Sequence, residues 1–212
     1  STLGYGPIKY RQVETSGAEQ SWDFSHLNTG TGADVEILAR SLSIVMGPDD
    51  VPYVLFYNTR GVEDTLYLAR IDTVSTTLSE VIPVYTGLCG TSFGERRQNC
   101  QSAGVWGIWT DLVVDSDGTA HVAWAAKTSG GLRYAPINVA TGEVADPILI
   151  DAAPLAGHSV QMKFIEGPGF VQFIYAAADE NGLINQIRGA LANLPGGGHL
   201  NNVILDGLNV ST

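Results

Sequence analysis

A diverged internal repeat is the feature that most constrains how this chain can fold. Each copy has an apolar run rich in Val, Ile, Tyr, Phe or Trp, then a turn of Gly, Asp, Pro or Glu, then a second apolar run. The copies span residues 42–57, 111–124 and 161–175, and further strands are expected at 66–71, 132–137 and around 183–187. Short β-type runs separated by turn residues predict an all-β fold.

The spacing of the copies indicates which all-β fold this is. Their turns begin at Gly47, Asp115 and Glu166, so successive turns lie 68 and 51 residues apart. The longer interval contains a polar, Gly-bearing loop between Cys89 and Cys100, which accounts for most of its extra length. The base unit is therefore about 50 residues of strand, turn, strand, loop and strand, which is typical of a β-propeller blade.

We expect a single all-β domain over residues 1–212, made of about four blade units. Three units lie at approximately 41–104, 105–157 and 158–212, and residues 1–40 supply N-terminal strands near 8–13, 21–26 and 35–39. With strands near 202–210 these could close a small propeller. Otherwise the chain is part of a larger propeller, completed by a second copy or another chain, since open sheet edges invite association. A two-sheet β-sandwich is the structural alternative, and the best helix candidate is 185–194.

The second copy carries a family resemblance. Residues 115–124, Asp-Ser-Asp-Gly-Thr-Ala-His-Val-Ala-Trp, followed by Leu-Arg-Tyr-Ala at 132–135, resemble the blades of secreted bacterial β-propellers of the sialidase-like, Asp-box-related type. The resemblance implies a propeller fold and export. The turn Asp and Gly are both intact only in this copy, and the strict Asp-box order is not present. No sialidase active site is therefore carried over, and residues 17–27, which look like a segment of secreted surface proteins, add only support for export.

Charge and composition exclude several classes of partner. The formal net charge is −11, which argues against duplex nucleic acid and against an anionic membrane surface. No apolar run reaches the ~18 residues of a transmembrane segment. Two cysteines flanking one loop predict a disulfide between Cys89 and Cys100, with two free thiols as the alternative. Together with a start at Ser1 rather than Met, these features predict a mature or trimmed protein that is secreted or on the cell surface.

The candidate ligand site lies directly after the cysteine loop. Trp106 and Trp109 could stack on sugar C–H surfaces, and Asp111 could accept hydrogen bonds from hydroxyls. Arg96 and Arg97 in the loop could hold a carboxylate or sulfate. The alternative is that the two tryptophans pack between blades.

A second candidate site concerns metal. Asp115 and Asp117 could place oxygens on a calcium ion, but only two carboxylates are close in sequence. The alternative is a hairpin turn that uses Asp and Gly for their backbone preferences. No other cofactor is expected.

These residues lead to three hypotheses of function. The first is a secreted, non-catalytic binding module for glycan or protein ligands, because repeat folds present loops for recognition and no catalytic set is evident. The second is a subunit, as a homo- or hetero-oligomer, that completes a larger propeller or surface assembly. The third is a glycoside-processing enzyme, which needs two carboxylates about the scissile bond. Its candidates, Asp111, Asp115 and Glu166, cannot be ranked from sequence.

Overall fold

The protein is described here from a computed structural model. It describes residues 7–13, 15–28, 34–37, 39–48, 50–58, 65–75, 77–86, 108–126, 131–153, 156–167, 169–178, 184–193 and 203–204. These residues form seventeen β-strands and, within the described ranges, no helix. In the same ranges nothing helical is long and apolar enough to cross a membrane.

The N-terminal part forms two short antiparallel hairpins. The first pairs β1 (Ile8–Val13) with β2 (Glu19–Phe24), and the second pairs β3 (His26–Asn28) with β4 (Asp34–Glu36). Apolar and polar residues alternate along the first hairpin, so that one face is buried and the other is charged.

Three larger antiparallel sheets follow, one after another along the chain. The first contains β5 (Ala39–Met46), β6 (Pro52–Asn58), β7 (Thr65–Asp72) and β8 (Thr77–Thr86). The second contains β9 (Ile108–Val114), β10 (Thr119–Ala126), β11 (Leu132–Asn138) and β12 (Glu143–Val144), with β13 (Ile148–Asp151) also pairing β11. The third contains β14 (His158–Ile165), β15 (Phe170–Ala178), β16 (Ile184–Asn193) and β17 (Val203–Ile204).

The sheets pack face to face, and each contact between neighbours has its own apolar core. One core lies between the first and second sheets and contains Tyr57 and Trp124, and another lies between the second and third sheets and contains Tyr134 and Phe173. The N-terminal hairpins close a third core against the outer face of the first sheet. Strand β6 is buried along its whole length because it contributes to cores on both of its faces.

The first strand of each large sheet lies next to the first strand of the following sheet. Strand β9 contacts both β5 and β14, so these three are the innermost strands of a ring-like arrangement. Strands β9 and β14 run in the same direction, since Trp109 lies beside His158 and Asp111 beside Met162. Successive antiparallel sheets arranged in this way are blades of a β-propeller. The all-β, propeller-like prediction is confirmed, whereas a two-sheet sandwich would have no middle sheet packed on both faces.

The helix expected at 185–194 is wrong. Residues 185–193 lie in β16, which pairs along its length with β15 and again with β17. Ala190 and Ala192 are buried against the core between the second and third sheets. Small residues suit a helix by propensity, but here they fit a tightly packed strand, because tertiary pairing overrides a weak local preference. The division into units 41–104, 105–157 and 158–212, and the total number of blades, stay predictions.

Candidate functional site

Polar and aromatic side chains lie near the starts of the three innermost strands, on the two faces of β9. Ser41 Oγ and Thr110 Oγ1 share a hydrogen bond of 3.0 Å between β5 and β9. Ser43 Oγ donates to the Thr110 carbonyl oxygen at 2.9 Å. The rings of Trp109 and His158 lie 4.1 Å apart between β9 and β14, with their planes inclined by 36°. We call Ser41, Trp109, Thr110, Asp111 and His158 the axial site.

Two of the three innermost strands bend at the edge of this site. Ser41 in β5 has a φ of 49° and Ser159 in β14 has a φ of 53°, and both lie where the register with the next strand slips. An extra residue of this kind is a β-bulge, which re-aims the neighbouring side chains. The left-handed backbone costs on the order of 1–3 kcal/mol for a residue other than glycine. The two residues with this strained conformation therefore lie at corresponding places, near the starts of β5 and β14 and next to the axial site.

Asp111 is the carboxylate of the axial site. It is half-buried on β9 and its Oδ2 accepts the backbone N–H of Met162 on β14. Burial raises the pKa of Asp111 above its usual value, against the opposing effect of the Met162 and Leu112 N–H groups. A partly desolvated carboxylate between two innermost strands is the kind of group that accepts hydrogen bonds from a ligand.

Trp109 and His158 form the aromatic part of the site. Both side chains are half-buried, and the indole packs against the core between the second and third sheets. Burial lowers the pKa of His158, so its imidazole is neutral at pH 7. Its Nδ1 shares a hydrogen bond of 3.2 Å with Ser159 Oγ. The predicted packing role of Trp109 and its predicted ligand role are therefore compatible, since one part of the ring is covered and another is open.

The structure brings together only part of the site expected from sequence. Trp109 and Asp111 lie two residues apart on β9, and both side chains are directed at β14. Trp106, Arg96 and Arg97 lie outside the described residues, as do Cys89 and Cys100. His158 is not among the predicted ligand-binding residues, because the histidines are scattered along the chain. The one signal available was its place in the repeat, since His158 begins the third innermost strand as Ile108 begins the second.

Asp115 and Asp117 lie at the far end of β9, in the turn before β10. Asp115 Oδ1 accepts the N–H groups of Asp117, at 3.0 Å, and Thr119, at 2.8 Å, and its Oδ2 lies 3.1 Å from His121 Nε2. These are the contacts of a side chain that fixes a hairpin turn. Within the described ranges, no three side chains of His, Cys, Asp or Glu come together as a metal-binding group. The calcium site stays a prediction.

Comparison with known proteins supports the fold. The chain superimposes on an α-L-arabinofuranosidase from Clostridium thermocellum with a TM-score of 0.51 and 14% identity, over 96% of this chain and 63% of that one. It also matches hydrazine synthase from Kuenenia stuttgartiensis, with a TM-score of 0.49, 13% identity and coverage of 90% and 61%. An exo-1,5-α-L-arabinanase from a bovine ruminal metagenomic library matches with a TM-score of 0.45, 10% identity and coverage of 96% and 70%.

We base the fold comparison on the arabinofuranosidase, whose fold is a β-propeller. At 14% identity the likeness concerns the fold alone, and the chain spans 63% of the length of that enzyme. No protein-family model and no curated protein sequence matches the chain. A propeller fold hosts many functions, so any function has to be argued from the axial site.

Proposed function

We propose that this protein is a secreted, non-catalytic β-propeller module that binds glycans, with a neutral sugar at the axial site. The observation that carries the proposal is the half-buried Trp109–His158 pair beside the half-buried Asp111, at the common end of two innermost strands. An aromatic surface next to a few fixed polar groups is the usual composition of a small-molecule site.

Each group has a separate role in this proposal. The open part of the Trp109 ring stacks on the C–H face of a sugar ring. Asp111 accepts hydrogen bonds from one or two sugar hydroxyls, and neutral His158 donates or accepts one more. The carboxylate disfavours anionic sugars at its own position, which is why we propose a neutral sugar there. We propose in addition that Arg96 and Arg97 extend recognition to an acidic neighbour along the glycan.

The number of carboxylates favours binding over hydrolysis. Glycoside hydrolysis generally uses two carboxyl groups on either side of the scissile bond, about 5–10 Å apart. The three described innermost strands, β5, β9 and β14, contain one carboxylate among them, Asp111. Asp115 follows the end of β9 and Glu166 follows the end of β14, so both lie at the ends of these strands that are far from the axial site. There Glu166 accepts a hydrogen bond from Ser116. Neither of them shares the axial site with Asp111.

The experiment is a binding screen of the full chain on a glycan array. The array includes arabinofuranosyl oligosaccharides, because the superimposed arabinofuranosidase acts on that class. Positive glycans are then titrated by calorimetry. We expect Trp109→Ala to lower affinity by roughly tenfold or more, since a stacked aromatic contributes on the order of 1–3 kcal/mol to such contacts. Trp109→Phe, which keeps a ring, should retain most of the affinity.

Two controls separate loss of ligand contact from loss of fold. His26→Ala removes an exposed histidine outside the site and should bind like the parent, whereas His158→Ala should bind more weakly. Thermal unfolding of each variant shows whether its fold is intact. Absence of any glycan ligand, or full affinity in Trp109→Ala, would refute the proposal. Hydrolysis of a bound glycan that is abolished in Asp111→Asn would establish the enzymatic alternative instead.

A further inference from the structure

An apolar stripe runs along one face of β5, at the inner edge of the first sheet. Leu42, Ile44 and Met46 occupy alternate positions of the strand and are 55%, 55% and 50% exposed. Because side chains alternate between the two faces of a strand, all three lie on the same face, which is the face turned away from the second sheet. Three regularly spaced exposed apolar residues on one strand are not a random scatter of surface hydrophobics.

The corresponding faces of β9 and β14 are each covered by the preceding sheet. On β9 the face turned toward the preceding sheet carries Leu112, which is 4% exposed beneath the first sheet. On β14 the same face carries Val160, which is 2% exposed beneath the second sheet. In both blades the innermost strand of the preceding sheet lies alongside. The apolar face of an innermost strand is thus a blade-to-blade contact surface throughout this fold.

The N-terminal hairpins cover the outer strands of the first sheet and the start of β5, at Ala39, but not the stripe. Val54 and Phe56, on β6, are fully buried against them, although these residues are the direct neighbours of exposed Ile44 and Leu42 on β5. Trp22 of the first hairpin donates from Nε1 to the carbonyl oxygen of Thr73, in the turn between the outer strands β7 and β8. The hairpins therefore stand where the outer strands of a preceding blade belong. Among the described residues, β9 is the innermost strand next to β5, and it lies on the side away from the stripe.

We propose that the Leu42–Ile44–Met46 stripe is the docking surface for an innermost β-strand of a partner polypeptide, which completes the blade begun by the two N-terminal hairpins. The chemistry of that strand follows from the two contacts of the same kind inside the protein. Ser43 Oγ donates to the Thr110 carbonyl oxygen, and Asp111 accepts the Met162 N–H. The partner strand therefore presents short polar side chains, Ser, Thr or Asp, to the backbone of β5, and aliphatic side chains to the stripe.

A second copy of this chain does not fit the same place. A second copy would have to pack its third sheet, which is four strands wide, against the first sheet of this chain. Its outer strands would occupy the space that the hairpins already fill against β6 to β8. The space beside β5 accommodates one or two strands in continuity with the existing core.

The experiment uses the full chain and a synthetic hairpin of residues 108–126 as the probe. This segment contains β9 and β10, and in the intact protein its Asp111 face is the one that covers β14. The peptide is closed by an added disulfide between its ends and labelled for fluorescence anisotropy. We expect saturable binding to the full chain. Ile44→Lys in the protein, or Asp111→Ala in the peptide, should weaken binding by roughly tenfold or more, because each removes a contact that the other side needs.

Ile174→Lys is the matched control, since Ile174 is a similarly exposed isoleucine on the third sheet and its replacement should leave binding unchanged. Both lysine variants should keep the parent circular dichroism spectrum, because both positions are exposed. No saturable binding of the peptide, or equal binding to Ile44→Lys, would overturn the proposal. A dimer of the full chain that Ile44→Lys dissociates would identify a second copy as the occupant and would also overturn it. None of these results depends on whether the axial site binds glycans.

Discussion

A buried polar network holds the second blade to the third, and it yields the sharpest prediction. His121 is fully buried on β10, with Nδ1 2.8 Å from Tyr134 Oη and Nε2 3.1 Å from Asp115 Oδ2. Its ring stacks on Phe164 of β14, with ring centres 4.8 Å apart. The histidine thus joins the β9–β10 turn, strand β11 and the next sheet.

The perturbation is His121→Phe. Phenylalanine keeps a planar ring against Phe164 but provides neither hydrogen bond, so the Tyr134 hydroxyl and one Asp115 oxygen lose a partner. Leaving a buried polar group unsatisfied costs about 1–3 kcal/mol each. Since Asp115 keeps its two backbone donors, we expect the free energy of unfolding to fall by about 3 kcal/mol in total. The assay is equilibrium urea unfolding followed by circular dichroism.

A double-mutant cycle tests whether the cost arises from this network. Tyr134→Phe alone should destabilise the protein by about 1 kcal/mol, because one His121 nitrogen then loses its partner. The double variant should lose less than the sum of the two single losses, since both groups of that hydrogen bond are gone. Strict additivity, or a loss below about 1 kcal/mol for His121→Phe, would refute the reasoning.

The same residue predicts a pH dependence. Burial lowers the pKa of His121 below its usual 6.5, and this effect outweighs the opposing influence of Asp115 and Glu166. A base whose pKa is lower in the folded state takes up its proton more readily when unfolded. Stability from neutral His121 is therefore present above pH 6.5 and is lost as the pH falls through the folded-state pKa. His121→Phe should lack this part of the acid destabilisation, and an unchanged pH profile would contradict the assignment.

Three further predictions concern single positions. Gly157→Ala should destabilise the protein by about 2 kcal/mol or more, since an added Cβ would lie 2.5 Å from Ala125 Cβ. Gly118→Ala, which has a similar φ but open space around it, should lose less free energy of unfolding in the same urea titration. Asp111→Asn should be as stable as the parent or more stable at pH 7, because the pKa of Asp111 is raised in the folded state. In thermal unfolding, the difference in stability between variant and parent should disappear as the pH falls toward 3.8. Ser159→Gly should raise the free energy of unfolding by about 0.5–1 kcal/mol by relieving a left-handed backbone, and a destabilised variant would show that the bulge is not strained.

Much of the fold was predictable because its signals are local. The turns at Gly47, Asp115 and Glu166 separate strands that the structure finds at the expected places, since alternating apolar residues and turn chemistry depend only on neighbours in sequence. Strand β8 was not predicted, because proline and charged residues interrupt its pattern on the exposed face. The sequence predicts a helix where β16 lies, because the small residues of this segment carry no strand signal of their own.

The axial site was predictable only in part. Trp109 and Asp111 are close in sequence, so a local pattern could single them out. His158 and Ser41 lie about 50 and 70 residues away and carry no motif. Only the sheet-to-sheet packing of β5, β9 and β14 brings His158 beside Trp109 and Ser41 beside Thr110.

The sequence by itself determined that this chain forms repeated antiparallel sheets of the propeller type, because apolar periodicity and turn residues specify strands without reference to the rest of the molecule. The tertiary structure alone decided which residues share a site and which faces stay open. Leu42, Ile44 and Met46 follow the same pattern as the covered residues of β9 and β14, and their exposure depends only on what stands beside β5. Whether a strand is buried depends on which other elements pack against it, and the strand's own sequence does not specify those elements.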